Sequence, residues 1–193
     1  MRLLLLPVVL PFALFSFLAP RAATASSSSH AADALLADIY QISSLLTSLG
    51  RQLTPLAITP APPASTIQAI RSSLQQTTAQ ISTSSRSAAA APPFDDAASA
   101  AIANAIADLK DAAFAALDAF ESRRMVFDAT SAGALSFVSA RRFVRADLVA
   151  LREATTAFGG NLMEKMVKGV RIAAPLVVGD LHWHFTRVVD VMS

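Results

Sequence analysis

From Asp33 onward, apolar residues recur at spacings of three and four. Leu35, Ile39, Ile42, Leu46, Leu49 and Leu53 form one stripe, the signature of an amphipathic helix with a single buried face. Asp33 suits its N-cap, so the pattern predicts a first helix over about 33–53. Pro55, Pro60, Pro62 and Pro63 crowd the stretch 54–64 and predict an extended connector. Ser65-Thr66-Ile67-Gln68 then reads as a capping box, and Ile67, Ile70, Leu74, Thr77 and Ile81 carry the narrow stripe of a second helix. It is poor in bulky side chains and is expected to be the least stable. The end of the Ser/Thr/Ala stretch 82–93, closed by Pro92-Pro93, reads as a loop.

The third helix has the strongest signal. Asp95 and Asp96 lie at its start, where carboxylates meet the positive end of the helix dipole. Ile102, Ile106, Leu109, Ala113, Leu117 and Phe120 form its apolar face, and it is predicted over about 96–128. Gly133 marks a break, and the segment 134–143 is expected either to join the next helix or to form a separate turn. The fourth stripe comprises Val144, Leu148, Leu151, Thr155, Phe158, Leu162 and Met166, with Gly159-Gly160 inside it. Those glycines suggest a bend or a close approach. Pro175 is expected to open a fifth helix, whose stripe is Val177, Leu181, Phe185, Val188 and Met192. No useful length alternates with period two. The expected fold is all-α, a bundle of about five amphipathic helices.

The N-terminus is of a different kind. Arg2 precedes an almost wholly apolar run from Leu3 to Ala19, followed by Ala23-Thr24-Ala25, which together read as an export signal cleaved after Ala25. Pro7 and Pro11 interrupt the run, which argues against a membrane span. The expected organisation is a signal at 1–25, a flexible Ser-rich lead-in at 26–32 and a single domain over 33–193, with no transmembrane span after signal removal.

Export changes the reading of charge. Of 16 basic residues, Arg2 and Arg21 leave with the signal, so 14 remain against 14 acidic ones. A neutral chain without an aromatic platform speaks against nucleic-acid binding. There is no cysteine, so the domain must be held by its core alone, which a chain of this length can supply. Asn104 and Asn161 both lack the sequon hydroxyl, so any glycan would be O-linked, with 54–66 and 82–93 as candidate sites. The C-terminus ends Val-Val-Asp-Val-Met-Ser and offers no lipid-anchor signal. A monomer, released or held at a cell wall, is expected.

Candidate chemistry is sparse. There is no Gly-x-Ser-x-Gly elbow, no phosphate-binding glycine loop, and no acidic pair singled out by spacing. His182 and His184 flank Trp183, but residues two apart on a helix point about 200° apart and do not readily share an ion. They read as boundary histidines beside an anchoring Trp. No catalytic residue, cofactor or metal is expected. The basic clusters are Arg123-Arg124 and Arg141-Arg142-x-x-Arg145, of which Arg124, Arg142 and Arg145 are candidates for a rim that attracts an anionic headgroup.

Aromatic placement is more informative. The eight phenylalanines beyond the export signal, Phe94, Phe114, Phe120, Phe127, Phe137, Phe143, Phe158 and Phe185, all lie at or after position 94. The apolar surface there is wider than a narrow seam, which is consistent with ordinary core filling or with a cavity between the second, third and fourth helices. The candidate lining residues are Ile70, Leu74, Ile106, Leu109, Phe114, Leu117, Leu148, Leu151, Phe158 and Leu162. A buried alkyl chain gains about 0.8 kcal/mol per methylene before association costs.

In order of features the chain resembles the fungal hydrophobic-surface-binding proteins, which include cell-wall galactomannoproteins. The resemblance is carried by the export signal, Asp38-Ile39-x-x-Ile42, Ile67-x-x-Ile70 after a linker, Ala101-Ile102 through Leu109 to Leu117, and Leu148-x-x-Leu151-x-x-x-Thr155 before a final apolar helix. It spans about 33–192. It implies a secreted, non-enzymatic helical bundle that adsorbs to hydrophobic surfaces or holds long-chain fatty acids in an apolar cavity. The proline-dense linker and the His-Trp-His tail depart from that pattern. Three functions follow as expectations: a lipid- or surface-binding secreted protein; a structural O-glycosylated wall mannoprotein in contact with wall polysaccharide; and a small effector that binds a partner protein through its basic, aromatic half.

Overall fold

The computed structural model describes residues 21–57, 62–129, 131–132 and 135–193. Its elements are α1 (Arg21–Leu53), a 3-10 turn (Thr54–Ala57), α2 (Ala64–Ala90), α3 (Asp96–Ser122), a short α4 (Arg124–Ala129), β1 (Ser131–Ala132), β2 (Leu135–Ser139), α5 (Ala140–Lys165) and α6 (Lys168–Val191). The fold is all-α in its architecture; the strands are a minor antiparallel pair that leads into α5.

The five long helices form a closed ring. α1 packs on α2 and α3, α3 on α6, α6 on α5, and α5 on α2. Polar pairs across the seams give the directions. Arg71 meets Asp147 at 2.8 Å and Asn161 donates to the Ser85 carbonyl at 3.1 Å, so α2 and α5 run parallel. Lys110 meets Asp180 at 3.3 Å and Arg187 meets Asp118 at 2.6 Å, so α3 and α6 run parallel. α5 and α6 are antiparallel neighbours joined at Met166–Val167.

The apolar stripes face inward. Leu35, Ile39, Ile42, Leu46, Leu49 and Leu53 of α1 are all buried, as are Val144, Leu148, Leu151, Phe158 and Leu162 of α5. Asp95 caps α3, its carboxylate accepting from the Ala98 N–H at 2.8 Å. Phe127 of α4 is fully buried and stacks on Phe120 at 5.9 Å.

Several boundaries differ from those expected. α1 begins at Arg21, so the Ser-rich lead-in at 26–32 is helical and Asp33 is not a cap. No Gly or Pro interrupts 21–49, serine lowers helix propensity only modestly, and Ala32 is already buried against the core. Ser65 does not form a capping box: α2 starts one residue earlier, capped by the Pro63 backbone without a side-chain bond. α2 does not stop at the last large apolar residue of its stripe, Ile81. It continues to Ala90, because Ser84, Ser85 and Ala88 extend its buried face. The Ser84 hydroxyl donates to the Gln80 carbonyl at 3.0 Å, which satisfies it inside the bundle. The loop expected at the end of the 82–93 stretch accordingly begins at Ala91 and runs to the Asp95 cap. α3 stops at Ser122, and Arg123 leaves helical geometry before α4. Gly133 lies outside the described residues.

Pro175 does not open the last helix. α6 starts at Lys168 and carries Pro175 inside it. The start is set by tertiary ties: the Ser99 hydroxyl accepts from the Val167 N–H at 3.2 Å, and the Phe94 N–H donates to the Lys165 carbonyl at 2.8 Å. Pro175 is exposed, so water can solvate the backbone carbonyl that its ring leaves unbonded.

Candidate ligand cavity between α3, α5 and α6

α6 packs unevenly. Its second half buries Leu181, Phe185, Val188, Val189 and Met192, whereas Lys168, Gly169, Arg171, Ile172, Pro175, Leu176, Gly179 and Asp180 are exposed and Val170, Val177 and Val178 only half-buried. Behind those valines lies a cavity of about 140 Å³. α3 contributes Ala103, Ile106 and Leu109 to its wall. α5 contributes Arg152, Thr155, Thr156, Phe158, Gly159, Leu162, Met163 and Met166. α6 contributes Val170, Val177, Val178, Leu181, His182 and Phe185.

Gly159 is there for close approach. A Cβ built at this position would lie 3.2 Å from Cγ2 of Val178, whereas Gly160 has open space. The contact also sets the register of the two antiparallel helices. His182, one turn beyond Val178, falls near the level of Thr155, with Arg152 about three residues farther along α5, while Met163, Met166 and Val170 lie toward the opposite end.

Of the residues expected to line a cavity, Ile106, Leu109, Phe158 and Leu162 do so. Ile70, Leu74, Leu117, Leu148 and Leu151 are buried in the core but are not on the wall. α2 contributes nothing, so the cavity lies between the third, fourth and fifth long helices rather than between the second, third and fourth. Phe114 is displaced from it and stacks on His184 at 3.8 Å. The two histidines therefore face different surroundings, His182 the cavity and His184 the α3 seam. Trp183 is not an anchor but is 58% exposed, with Arg187 over its ring at 5.1 Å.

Arg124, Arg142 and Arg145 do not form the cavity rim. Arg142 and Arg145 border a separate polar concavity with Asp128, Ser139, Arg141, Met192 and Ser193. Its cations are largely engaged: Arg141 holds Asp128 at 2.9 Å and the Val191 carbonyl at 2.6 Å, and Arg145 donates to the Ser193 hydroxyl at 3.0 Å. Arg124 is exposed in α4 and absent from both sites. Reading basic clusters favoured adjacent arginines. The cation on the cavity wall, Arg152, stands alone in sequence, and its position one residue from the buried Leu151 is the signal that could have found it.

Residues 32–164 match the family model of hydrophobic surface binding protein A. The chain belongs to this family. The match ends before α6, so the last helix and its share of the cavity wall lie beyond the part that defines membership. No curated protein matches the sequence. Solved structures share the fold. AfMP4p in complex with palmitic acid is 22% identical, with a TM-score of 0.74 over 84% of this chain and 99% of that one. Ligand-binding domain 2 of Penicillium marneffei MP1, complexed with multiple arachidonic acids, is 12% identical, with a TM-score of 0.68 over 86% and 96%. Ligand-binding domain 1 of the same protein is 9% identical, with a TM-score of 0.61 over 80% and 97%. Among the described residues of this family member, no helix is long and apolar enough to cross a membrane.

Proposed function

We propose that the protein is an exported, non-catalytic carrier of long-chain fatty acids or related lipids, with the acyl chain held between α3, α5 and α6. The observation that carries this reading is the cavity, whose wall is apolar apart from Arg152, Thr155, Thr156 and His182. The likeness in fold to complexes with palmitic and arachidonic acids supports it. From Arg152 to Met166 the α5 wall rises about 21 Å at 1.5 Å per residue. One leaflet's acyl chains fill about half of the ~30 Å hydrocarbon core of a bilayer, so the wall is long enough for such a chain.

The volume imposes a condition. A space of about 140 Å³ is comparable with engineered cavities that admit a benzene-sized ligand. An acyl chain therefore requires the bundle to widen. The first half of α6 is the wall that can yield, since the inward side chains described there, Val170, Val177 and Val178, are only half-buried and Pro175 removes one of its backbone bonds.

Native mass spectrometry of the secreted protein, beside its denatured spectrum, tests the reading. A fatty-acid mass increment in the native spectrum alone is expected. A bare native protein that also fails to take up added palmitate or arachidonate overturns it. Export itself rests on the apolar run Leu3–Ala19 and Ala23-Thr24-Ala25, and it predicts a mature chain beginning at Ser26.

A second reading, adsorption to hydrophobic surfaces, is favoured by one feature. Ile172 and Leu176 are 72% and 75% exposed, and with Trp183 they fall on one face of α6 at spacings of four and seven. Trp183 is the sole tryptophan, so its emission reports on contact directly. A blue shift on wax or polystyrene particles, lost in Ile172→Asp/Leu176→Asp, is expected. Unchanged adsorption by that variant refutes this face.

A further inference from the structure

We infer that Arg152 and His182 form a carboxylate clamp at one end of the cavity, selecting free long-chain acids over their esters and alcohols. This inference rests on the lipid-carrier reading and adds the headgroup and the orientation of the ligand.

A carboxylate accepts hydrogen bonds and must be met by N–H or O–H groups. The cavity wall offers four polar side chains. Two of them have already spent their protons. The Thr155 hydroxyl donates to the Leu151 carbonyl at 2.8 Å, and the Thr156 hydroxyl to the Arg152 carbonyl at 3.0 Å. Each could serve a ligand only as an acceptor. Arg152 and His182 are the wall groups with hydrogens to give.

Arg152 also differs from the other half-buried arginines. Arg71 is paired with Asp147, Arg141 with Asp128, and Arg187 with Asp118 and Glu121, while Arg123 donates to the Ser122 hydroxyl. Among the described residues, no carboxylate or hydroxyl meets the Arg152 guanidinium. An unpaired guanidinium beside an apolar cavity keeps its donors for an anion, and here that anion is assigned to the ligand. A planar guanidinium can hold both oxygens of one carboxylate.

The placement fits one orientation. Arg152 stands on α5 and the exposed His182 on α6, about three residues or ~4.5 Å apart in level on the register set by Gly159 and Val178, so the two donors approach the headgroup from opposite walls. The far end, at Met163, Met166 and Val170, has no donor on the wall and takes the methyl terminus. In the other arginine-rich concavity Asp128, the Val191 carbonyl and the Ser193 hydroxyl already engage Arg141 and Arg145, and Arg142 is exposed.

The test compares ligands that differ only at the head. Dissociation constants of the full secreted chain are measured for palmitate, methyl palmitate and hexadecanol. Palmitate is expected to bind about 10- to 100-fold more tightly than the ester, the usual worth of hydrogen bonds to a charged group. Arg152→Gln should bring palmitate to the ester's affinity and leave the ester unchanged, and Arg152→Lys should keep part of the preference. Arg145→Gln, in the other concavity, should leave the preference intact. Equal binding of acid and ester by the unmodified protein overturns the clamp while leaving the carrier reading in place, and so does an acid preference that survives in Arg152→Gln. Failure of all three ligands overturns both. The ligand comparison on the unmodified chain needs no variant to fold.

Discussion

Gly159 and Gly160 are adjacent in one helix, yet one faces Val178 and the other faces open space. Replacing each with alanine separates helix propensity from packing. Neither glycine adopts a positive φ, so the propensity gain is available at both sites, about 0.8 to 1.0 kcal/mol. Gly160→Ala should realise nearly all of it. For a chain of this size, 1 kcal/mol corresponds to about 2 to 4 °C in Tm. Gly159→Ala brings a Cβ to 3.2 Å from Cγ2 of Val178, which requires a shift of a few tenths of an ångström. A valine in a helix has little χ1 freedom, so α6 itself must move. If the first half of α6 is as loosely seated as the half-buried Val170, Val177 and Val178 indicate, the cost should be below about 0.5 kcal/mol, leaving a net gain, since strain in a well-packed core typically costs 1 to 3 kcal/mol. Thermal and urea unfolding followed by helical circular dichroism measures both variants. Destabilisation of Gly159→Ala by more than about 1 kcal/mol relative to the parent would show α6 rigidly seated, and the widening required for an acyl chain would then have no moving part.

Pro175→Ala should restore a backbone hydrogen bond in α6 and stabilise the fold by as much as ~3 kcal/mol; stopped-flow uptake of a fluorescent fatty acid should slow at the same time, and faster uptake would contradict a yielding α6. Gly159→Leu projects a side chain into the cavity and is expected to abolish palmitate binding in calorimetry while the helical spectrum is retained; unchanged affinity would locate the ligand elsewhere. Ser99 is fully buried and accepts the Val167 N–H, so Ser99→Ala should cost about 1 to 3 kcal/mol by leaving that donor unpaired, read from the urea midpoint; a neutral result would remove this tie as the cause of the α6 start. Asp95→Ala removes the α3 cap and should cost about 1 kcal/mol by the same measurement.

The sequence by itself determined the fold class, the inward face of every long helix and the absence of a staple. These follow from side-chain type and spacing along one helix, which are local properties. Thus the stripes from Leu35 to Leu53 and from Val144 to Leu162 were legible in full. Burial of small and polar residues was not, because Ser84, Ser85 and Ala88 are inside only by virtue of the helix beside them, and Asn161 reaches Ser85 only because α5 runs parallel to α2. The start of α6 was hidden for the same reason. Pro175 is a local start signal, overridden by Ser99 and Phe94 pinning a turn about seventy residues away. The cavity was the least legible feature. A void is a mismatch between faces of helices distant in sequence, and which faces meet depends on the order of the ring. That order put Ile106, Phe158 and Leu162 on a wall, left Ile70 and Leu74 in closed core, and made the isolated Arg152, rather than the arginine pairs, the cation at the cavity.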